Sequence, residues 1–139
     1  MSFAIPVTVY IEDTDAGGIV YYVNYLKYME RARSEWLRAS GLTQRALFDD
    51  GIQLVVHRLT CRYAKPARLD DRLRVTAAVV EATSCRVRFH QQVLAGGEPL
   101  CDADVDIACV DATRLRPTRW PAALAAALKE QPQSLTRTP

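Results

Sequence analysis

Between Tyr22 and Ser40 the apolar side chains Tyr25, Tyr28, Met29, Ala32, Trp36 and Ala39 return every three or four residues. That is the period of a helix with one face turned to a core. Lys27, Glu30, Arg31, Arg33, Ser34 and Arg38 take the rest of its circumference, and Gly41 follows where a left-handed C-terminal cap belongs. Elsewhere the period is two. Phe3 to Ile11, rich in β-branched and aromatic residues, reads as a first strand ending at an acidic, Gly-containing turn. Further strands are predicted over Gln53–Tyr63, Arg72–Ala82, Cys85–Ala95 and Leu100–Asp111, with turns at Lys65-Pro66, Asp70-Asp71 and Gly96-Gly97. Thr43 to Asp50 adds a helical turn or two. Trp120 to Lys129, with Pro121 at a first helical position, reads as a short last helix. One long helix after one strand and before four more predicts an α+β fold, the helix wrapped by a curved antiparallel sheet of about five strands. No repeat or linker divides residues 1–130, so they read as one domain, and residues 131–139, QPQSLTRTP, as a frayed tail.

Alternation is strictest in the last strand, where Cys101, Ala103, Val105, Ile107 and Cys109 interleave with Asp102, Asp104 and Asp106. If Gly96-Gly97 closes that hairpin, Arg88 falls opposite or diagonal to Asp106, and His90 close to Asp104. A charge ladder is the reading, because parallel side chains on a strand diverge and do not converge on a metal. Counted by twos, His57 shares a face with Val55, Leu59 and Tyr63 and is expected to be a packed, hydrogen-bonded histidine.

With 139 residues, 49% hydrophobic and 24% charged, the chain can build one core, and its small size favours self-association. The net charge of +2, without a basic block, argues against a nucleic-acid partner. No apolar run has the length of a membrane span and the N-terminus lacks a signal-peptide pattern, so a cytoplasmic protein is expected. Cys61, Cys85, Cys101 and Cys109 show no CxxC pair or metal-ligand spacing and read as small buried hydrophobes in a reducing compartment.

Walker, GxGxxG and GxSxG motifs are absent. Candidate chemistry gathers instead in EDTDAGGIVYYVNY, Glu12 to Tyr25. In an extended segment Asp13 and Asp15 face the same way, which suits acid and base work. Gly17 and Gly18 allow a tight turn and the close approach of a ligand. Free amides at the following helix start, around Tyr22 and Val23, are placed to hold a carbonyl oxygen as negative charge develops on it. A carboxylate beside an oxyanion hole suits acyl transfer. The same residues equally suit a plain Asx cap before a helix, and spacing alone does not choose. Glycoside hydrolysis fits poorly, since two acids so close on one loop do not flank a sugar bond.

The stretch EDTDAGGIVYYVNYLKYMERARSEWLRASGL, followed by YAKPARLDD at Tyr63 to Asp71, resembles the hotdog-fold acyl-CoA thioesterases of the 4-hydroxybenzoyl-CoA thioesterase type, and among them the branch associated with the Tol-Pal system. The similarity extends from Val7 to about Pro117. It implies a long helix cradled by an antiparallel sheet, subunits joining their sheets into a homodimer or homotetramer, and active sites between subunits. It also implies hydrolysis of an acyl-CoA, with an acyl carrier protein as a further possible donor and no metal or bound cofactor. Within the motif, Asp15 is implied as the catalytic carboxylate, either nucleophile or general base, and the Tyr22 amide as the donor to the thioester oxygen. Many members of the Tol-Pal branch have histidine at the position of Tyr22, whereas the hydroxybenzoyl-specific enzymes have tyrosine; a main-chain donor survives that exchange. Substrate contacts are expected from Gly17, Gly18 and Val23. Some relatives hold the coenzyme phosphates with basic residues in the turn that here reads Ala82-Thr83-Ser84-Cys85, so Lys65, Arg68 and Arg86 are the alternatives. Tyr21, Tyr22, Tyr25 and Tyr28 are candidates for lining an acyl tunnel. A non-catalytic acyl-thioester binding module is the rival reading, disfavoured by the presence of Asp15.

Overall fold

A computed structural model describes residues 3–129; the expected tail at 131–139 lies outside the described residues. The elements are β1 (Phe3–Thr8), a single 3₁₀ turn (Ile11–Asp13), α1 (Tyr22–Ala39), α2 (Gln44–Asp49), β2 (Ile52–Tyr63), β3 (Arg72–Ala82), β4 (Arg86–Ala95), β5 (Glu98–Asp111) and α3 (Ala122–Lys129). The strands form one five-stranded sheet in the order β1-β3-β4-β5-β2, antiparallel throughout. The helix α1 lies on one face of it, which is the hotdog arrangement.

The buried side of α1 carries Tyr25, Tyr28, Met29, Ala32, Trp36 and Leu37. Ala39, placed on that stripe by spacing, is exposed, whereas Leu37, one residue past Trp36 and off the stripe, is buried in the core cluster that also holds Leu47 and Leu124. Trp36 meets Phe89 of β4 edge-on at 5.3 Å and 86°, a favoured aromatic geometry. Gly41, at φ +87°, closes the helix. Its amide donates to Arg38 O at 2.9 Å and that of Leu42 to Leu37 O at 3.1 Å, the paired bonds of a Schellman cap.

Between helix and sheet sits one fully enclosed polar side chain, Gln91. Its Nε2 donates to Met29 O and Thr76 O, both at 3.0 Å, and its Oε1 accepts from Arg33 Nη1 at 2.8 Å. Both the oxygen and the nitrogen of the Gln91 amide thereby have partners. Burial lowers the pKa of Arg33, with Glu30 opposing the shift.

The β4–β5 hairpin turns at Gly96 and Gly97, both with positive φ (56° and 82°), as a two-residue turn matching strand twist requires. Arg88 then stands directly opposite Asp106 and His90 opposite Asp104. Arg88 holds both Asp106 oxygens, Nε–Oδ1 at 2.6 Å and Nη2–Oδ2 at 3.1 Å. His90 Nδ1 is 2.9 Å from Asp104 Oδ1, and Arg62 of β2 reaches Asp102 at 3.6 Å. The aspartate row is a charge ladder across three strands.

Two further expectations need correction. The first strand stops at Thr8 rather than Ile11, because Ile11–Asp13 winds into the 3₁₀ turn. And His57 is exposed, not packed. The register of β2 on β5 runs Val56↔Ile107 and then Arg58↔Asp106, so His57 is the extra residue of a β-bulge and reverses the alternation after it. Leu59, Cys61 and Tyr63 therefore share the helix-side face with Leu54 and Val56, while Val55, Arg58, Thr60 and Arg62 face the other way. His57 contributes to the positive surroundings that lower the Asp106 pKa, behind the dominant hydrogen bond from Arg88.

Candidate active site

The two acids of the opening motif do different work. Asp13 ends the 3₁₀ turn, so the segment is not extended and the pair does not form a matched face. Both Asp13 oxygens are engaged: Oδ2 accepts from Tyr10 N and Oδ1 from Asn24 Nδ2, each at 2.9 Å. Asp13 O also accepts from Tyr21 N at 3.0 Å. Asp13 thus fastens the motif to the first turn of α1, and Asn24, unremarked in the sequence, is its partner there.

Asp15 opens a tight reversal. Its amide donates to Ile19 O at 2.9 Å, Gly18 N donates to Asp15 O at 3.1 Å, and Thr14 bridges to Val20. Gly18, at φ +79°, supplies the left-handed residue this reversal needs. The Asp15 carboxylate accepts one bond, Gly17 N to Oδ1 at 2.8 Å, and Oδ2 has no hydrogen-bond partner among the described residues. Asp15 is exposed in the single chain. A Cβ at position 17 would lie 3.3 Å from Oδ1, so glycine there lets the carboxylate fold onto the backbone.

The second segment of the resemblance packs against this turn. Val20 N donates to Ala67 O at 2.9 Å, Leu69 N to Gly18 O at 3.3 Å, and Ile19 bridges to Arg68. Arg68 N is capped by Asp71 Oδ2 at 2.9 Å. The two motifs, separated by α1 and β2 in the chain, form one surface.

At the helix start Tyr21 is the N-cap and Tyr22 the first helical residue. The amides of Tyr22 and Val23 have no hydrogen-bond acceptor among the described residues, as expected for the first turn of a helix. Tyr63, at the end of β2, donates its hydroxyl to Tyr22 O at 3.2 Å and sets its ring edge-on to Tyr22 and Tyr25, at 6.1 and 5.5 Å. Tyr25 accepts from Ala67 N at 2.8 Å. Of the four tyrosines considered for an acyl tunnel, Tyr25 and Tyr28 are buried core, whereas Tyr21 and Tyr22 are about half exposed. Burial raises the phenol pKa of Tyr25, Tyr28 and Tyr63; for Tyr28 the nearby Asp13 charge adds to it and for Tyr63 the thiol of Cys61. All three are neutral hydroxyls at physiological pH. That of Tyr28 is a buried side-chain atom without a hydrogen-bond partner.

Tyr63 escaped the sequence reading because the bulge hides its side of the strand. The only signal was its place at the head of YAKPARLDD. The proposed phosphate contacts do not gather: Lys65 is paired with Glu98, Arg68 flanks the Asp15 turn, and Arg86 lies past the far end of β3, beside His57, Arg58, Glu81, Thr83 and Arg88. At about 3.3 Å per residue, the length of β3 separates Arg86 from the turn within one chain.

Along α1 from the free amides, a groove of about 270 Å³ runs between helix and sheet edge, lined by Val23, Leu26, Met29, Val56, Leu59 and Val105, with Lys27, Glu30 and Arg33 on its rim.

Comparison with known proteins agrees with this fold. Residues 9–128 match the model of the thioesterase-like superfamily. The chain is 40% identical over 126 residues to the acyl-CoA thioesterase YbgC of Haemophilus influenzae, covering 90% of this chain and 93% of that protein. It is 38% identical over 129 residues to the acyl-CoA thioester hydrolase YbgC of Escherichia coli O6:H1, covering 92% and 96%. Among solved structures, a probable thioesterase from Bartonella henselae superposes with a TM-score of 0.82 at 30% identity, over 87% of this chain and all of that one (100%). The 1,4-dihydroxy-2-naphthoyl-CoA thioesterase of Synechocystis shares the fold, with a TM-score of 0.87 at 22% identity over 94% and 97%. The chain therefore belongs to the thioesterase-like superfamily and is a thioester hydrolase of hotdog fold.

Proposed function

We propose that this chain hydrolyses an acyl-CoA to a free carboxylic acid and coenzyme A, with Asp15 as the reacting carboxylate and the Tyr22 amide as the donor to the thioester oxygen. The observation that carries this reading is the half-used Asp15 carboxylate. Gly17 N holds one oxygen and leaves the other unengaged, on a turn that Asp13 ties to a helix start with two unclaimed amides. The turn presents an ionised oxygen to the carbonyl carbon, or to a water beside it. The amide and the positive end of α1 stabilise the oxygen as the tetrahedral centre forms. Collapse of that centre expels the coenzyme thiolate.

An acid exposed in the single chain is a poor catalyst until water is excluded from around it. Two features supply a cover. β2 is an edge strand, and Val56, Leu59 and Tyr63 on its helix-side face are 46%, 40% and 43% exposed, an apolar patch suited to a second copy. We therefore read the working form as a homodimer, or a pair of dimers, with the site completed between subunits. The groove beginning at Val23 is the place for the acyl chain, and delivery from an acyl carrier protein is compatible with its open rim. Free thiols fit a reducing cytoplasm; no described helix is long and apolar enough to cross a membrane.

The test is coenzyme A release from a panel of acyl-CoAs, followed with a thiol reagent. Asp15→Asn is expected to lose about 10²–10⁴-fold in kcat, the range for a positioned acid or base, while KM changes little. Equal rates for the two proteins would remove Asp15 from the reaction.

A further inference from the structure

Two amides at the start of α1 are unclaimed, those of Tyr22 and Val23, because the next one, Asn24 N, is spent on Tyr21 O at 2.8 Å. Each free N–H is one half of a planar peptide unit whose other half is the carbonyl of the preceding residue. The Tyr22 N–H therefore shares its plane with Tyr21 O, and the Val23 N–H with Tyr22 O. Both of these oxygens are held. Tyr21 O is held by the helix itself, through Asn24 N, whereas Tyr22 O receives the hydroxyl of Tyr63, from the end of β2, at 3.2 Å.

We propose that Tyr63 is a positioning residue for a second oxyanion donor: its hydroxyl fixes and polarises the Tyr22–Val23 peptide, so that the Val23 N–H joins the Tyr22 N–H on the thioester oxygen. The inference rests on the function proposed above. A peptide in the first turn of a helix has no bond on its N–H side, so a hold on its oxygen is what sets the direction of that N–H. A carbonyl oxygen has two lone pairs, one for the helix ladder and one for the phenol. A hydrogen bond accepted at C=O also strengthens donation from the N–H of the same unit, by about 10–30%. Donors fixed in advance where charge develops act on the transition state more than on the bound substrate.

Tyr63 is built for this task. Its ring stands edge-on to Tyr22 and Tyr25, at 6.1 and 5.5 Å, and its backbone is paired with Cys101 of β5, so the hydroxyl has little freedom to wander. It also keeps its proton: burial first, then Cys61, Cys101 and Tyr22, raise its pKa. The role asks for no opening of the sheet edge. A second copy over this face of β2 would exclude water that competes for the phenol, and a drier bond is a stronger one. The plain alternative, that Tyr63 only packs its ring, predicts that loss of the hydroxyl leaves turnover unchanged.

The experiment compares wild type, Tyr63→Phe and a protein carrying trifluorotyrosine at position 63, in coenzyme A release, in sedimentation and in the nuclear magnetic resonance of the Val23 amide. Tyr63→Phe removes one oxygen and keeps the ring. Its kcat is expected to fall about 10-fold, the scale of one neutral hydrogen bond, with KM little changed and the sedimentation coefficient the same. The Val23 amide nitrogen and proton shifts should move more than those one turn further along α1. The fluorinated phenol is a stronger donor and a stronger acid. Its protein should match or exceed the wild-type kcat at low pH and lose it as pH rises through the lowered phenol pKa, where the wild-type rate persists; a packing role has no reason to follow that proton. A Tyr63→Phe kcat equal to wild type, a loss confined to KM, a fluorinated protein whose pH profile overlays the wild type, or an unmoved Val23 resonance would each overturn the inference. Should Tyr63→Phe disturb the assembly, the fluorinated protein, which keeps its hydroxyl, decides. Wild type inactive on every acyl-CoA would sink the function proposed above, and the Val23 resonance, which needs no turnover, tells that failure from failure of the present inference.

Discussion

At the scale of single residues, the division of labour in the DxD stretch is set by partners rather than by spacing. Both oxygens of Asp13 are spent on Tyr10 and Asn24, while Asp15 keeps one in reserve. Gly17 makes that arrangement possible. Its backbone does not need a left-handed conformation, so the one conflict for Gly17→Ala is the contact of the new Cβ with Asp15 Oδ1 at 3.3 Å. The substitution is expected to leave the melting temperature nearly unchanged while lowering kcat by roughly 10- to 100-fold, the scale of a small misplacement of a reacting group. Thermal melts and steady-state kinetics on the same preparation separate the two. An unchanged kcat would show that the position of the carboxylate is not set by its turn.

The elements show which parts of the structure were legible in the sequence and which were not. The β4–β5 register was readable because strict alternation and a paired-glycine turn leave a single in-phase pairing, and Arg88 and His90 meet the predicted aspartates. The helix was readable from its stripe up to its last turn, where Leu37, off that stripe, is buried with Leu47 and Leu124 in the core cluster and Ala39 is left exposed. The side-chain faces of β2 were not readable, because a bulge adds one residue without any composition signal. The Arg88–Asp106 pair gives a pH prediction. The hydrogen bonds from Arg88 hold the Asp106 carboxyl below the usual carboxylate range, with burial opposing. A group with a depressed folded pKa stabilises above its unfolded value and loses that contribution as pH falls through the folded one. Arg88→Met is therefore expected to lower stability by about 0.5–1 kcal/mol at neutral pH, a modest figure because Arg88 is partly exposed. In melts taken from pH 7 downward, the gap should begin to close below about pH 4. A gap constant to the lowest pH would mean that packing, not charge, accounts for the loss.

For the molecule as a whole, the candidate site lies along one border of the domain, where the start of α1, the end of β2 and the 67–71 segment meet an unpaired sheet edge. If a second copy covers that edge, Leu59→Glu should split the assembly, seen as a fall in sedimentation coefficient to that of one chain. Activity should be lost with it, although Asp15 and Tyr22 remain untouched. An unchanged assembly would place the interface elsewhere. The sequence supplied the motif residues of this border but not their company, since Tyr63, Asn24 and Ala67 gain meaning only when distant segments pack.

The supernumerary residue at His57 has a reach that its exposed imidazole conceals. Were His57 paired in the ladder as a regular residue instead of bulging out of it, every side chain from Leu59 to Tyr63 would swap sides. The phenol that steadies the first turn of α1 would point away from it, and Arg62 would turn inward under the helix. A single bead on the backbone thus acts as the parity bit of this border of the protein.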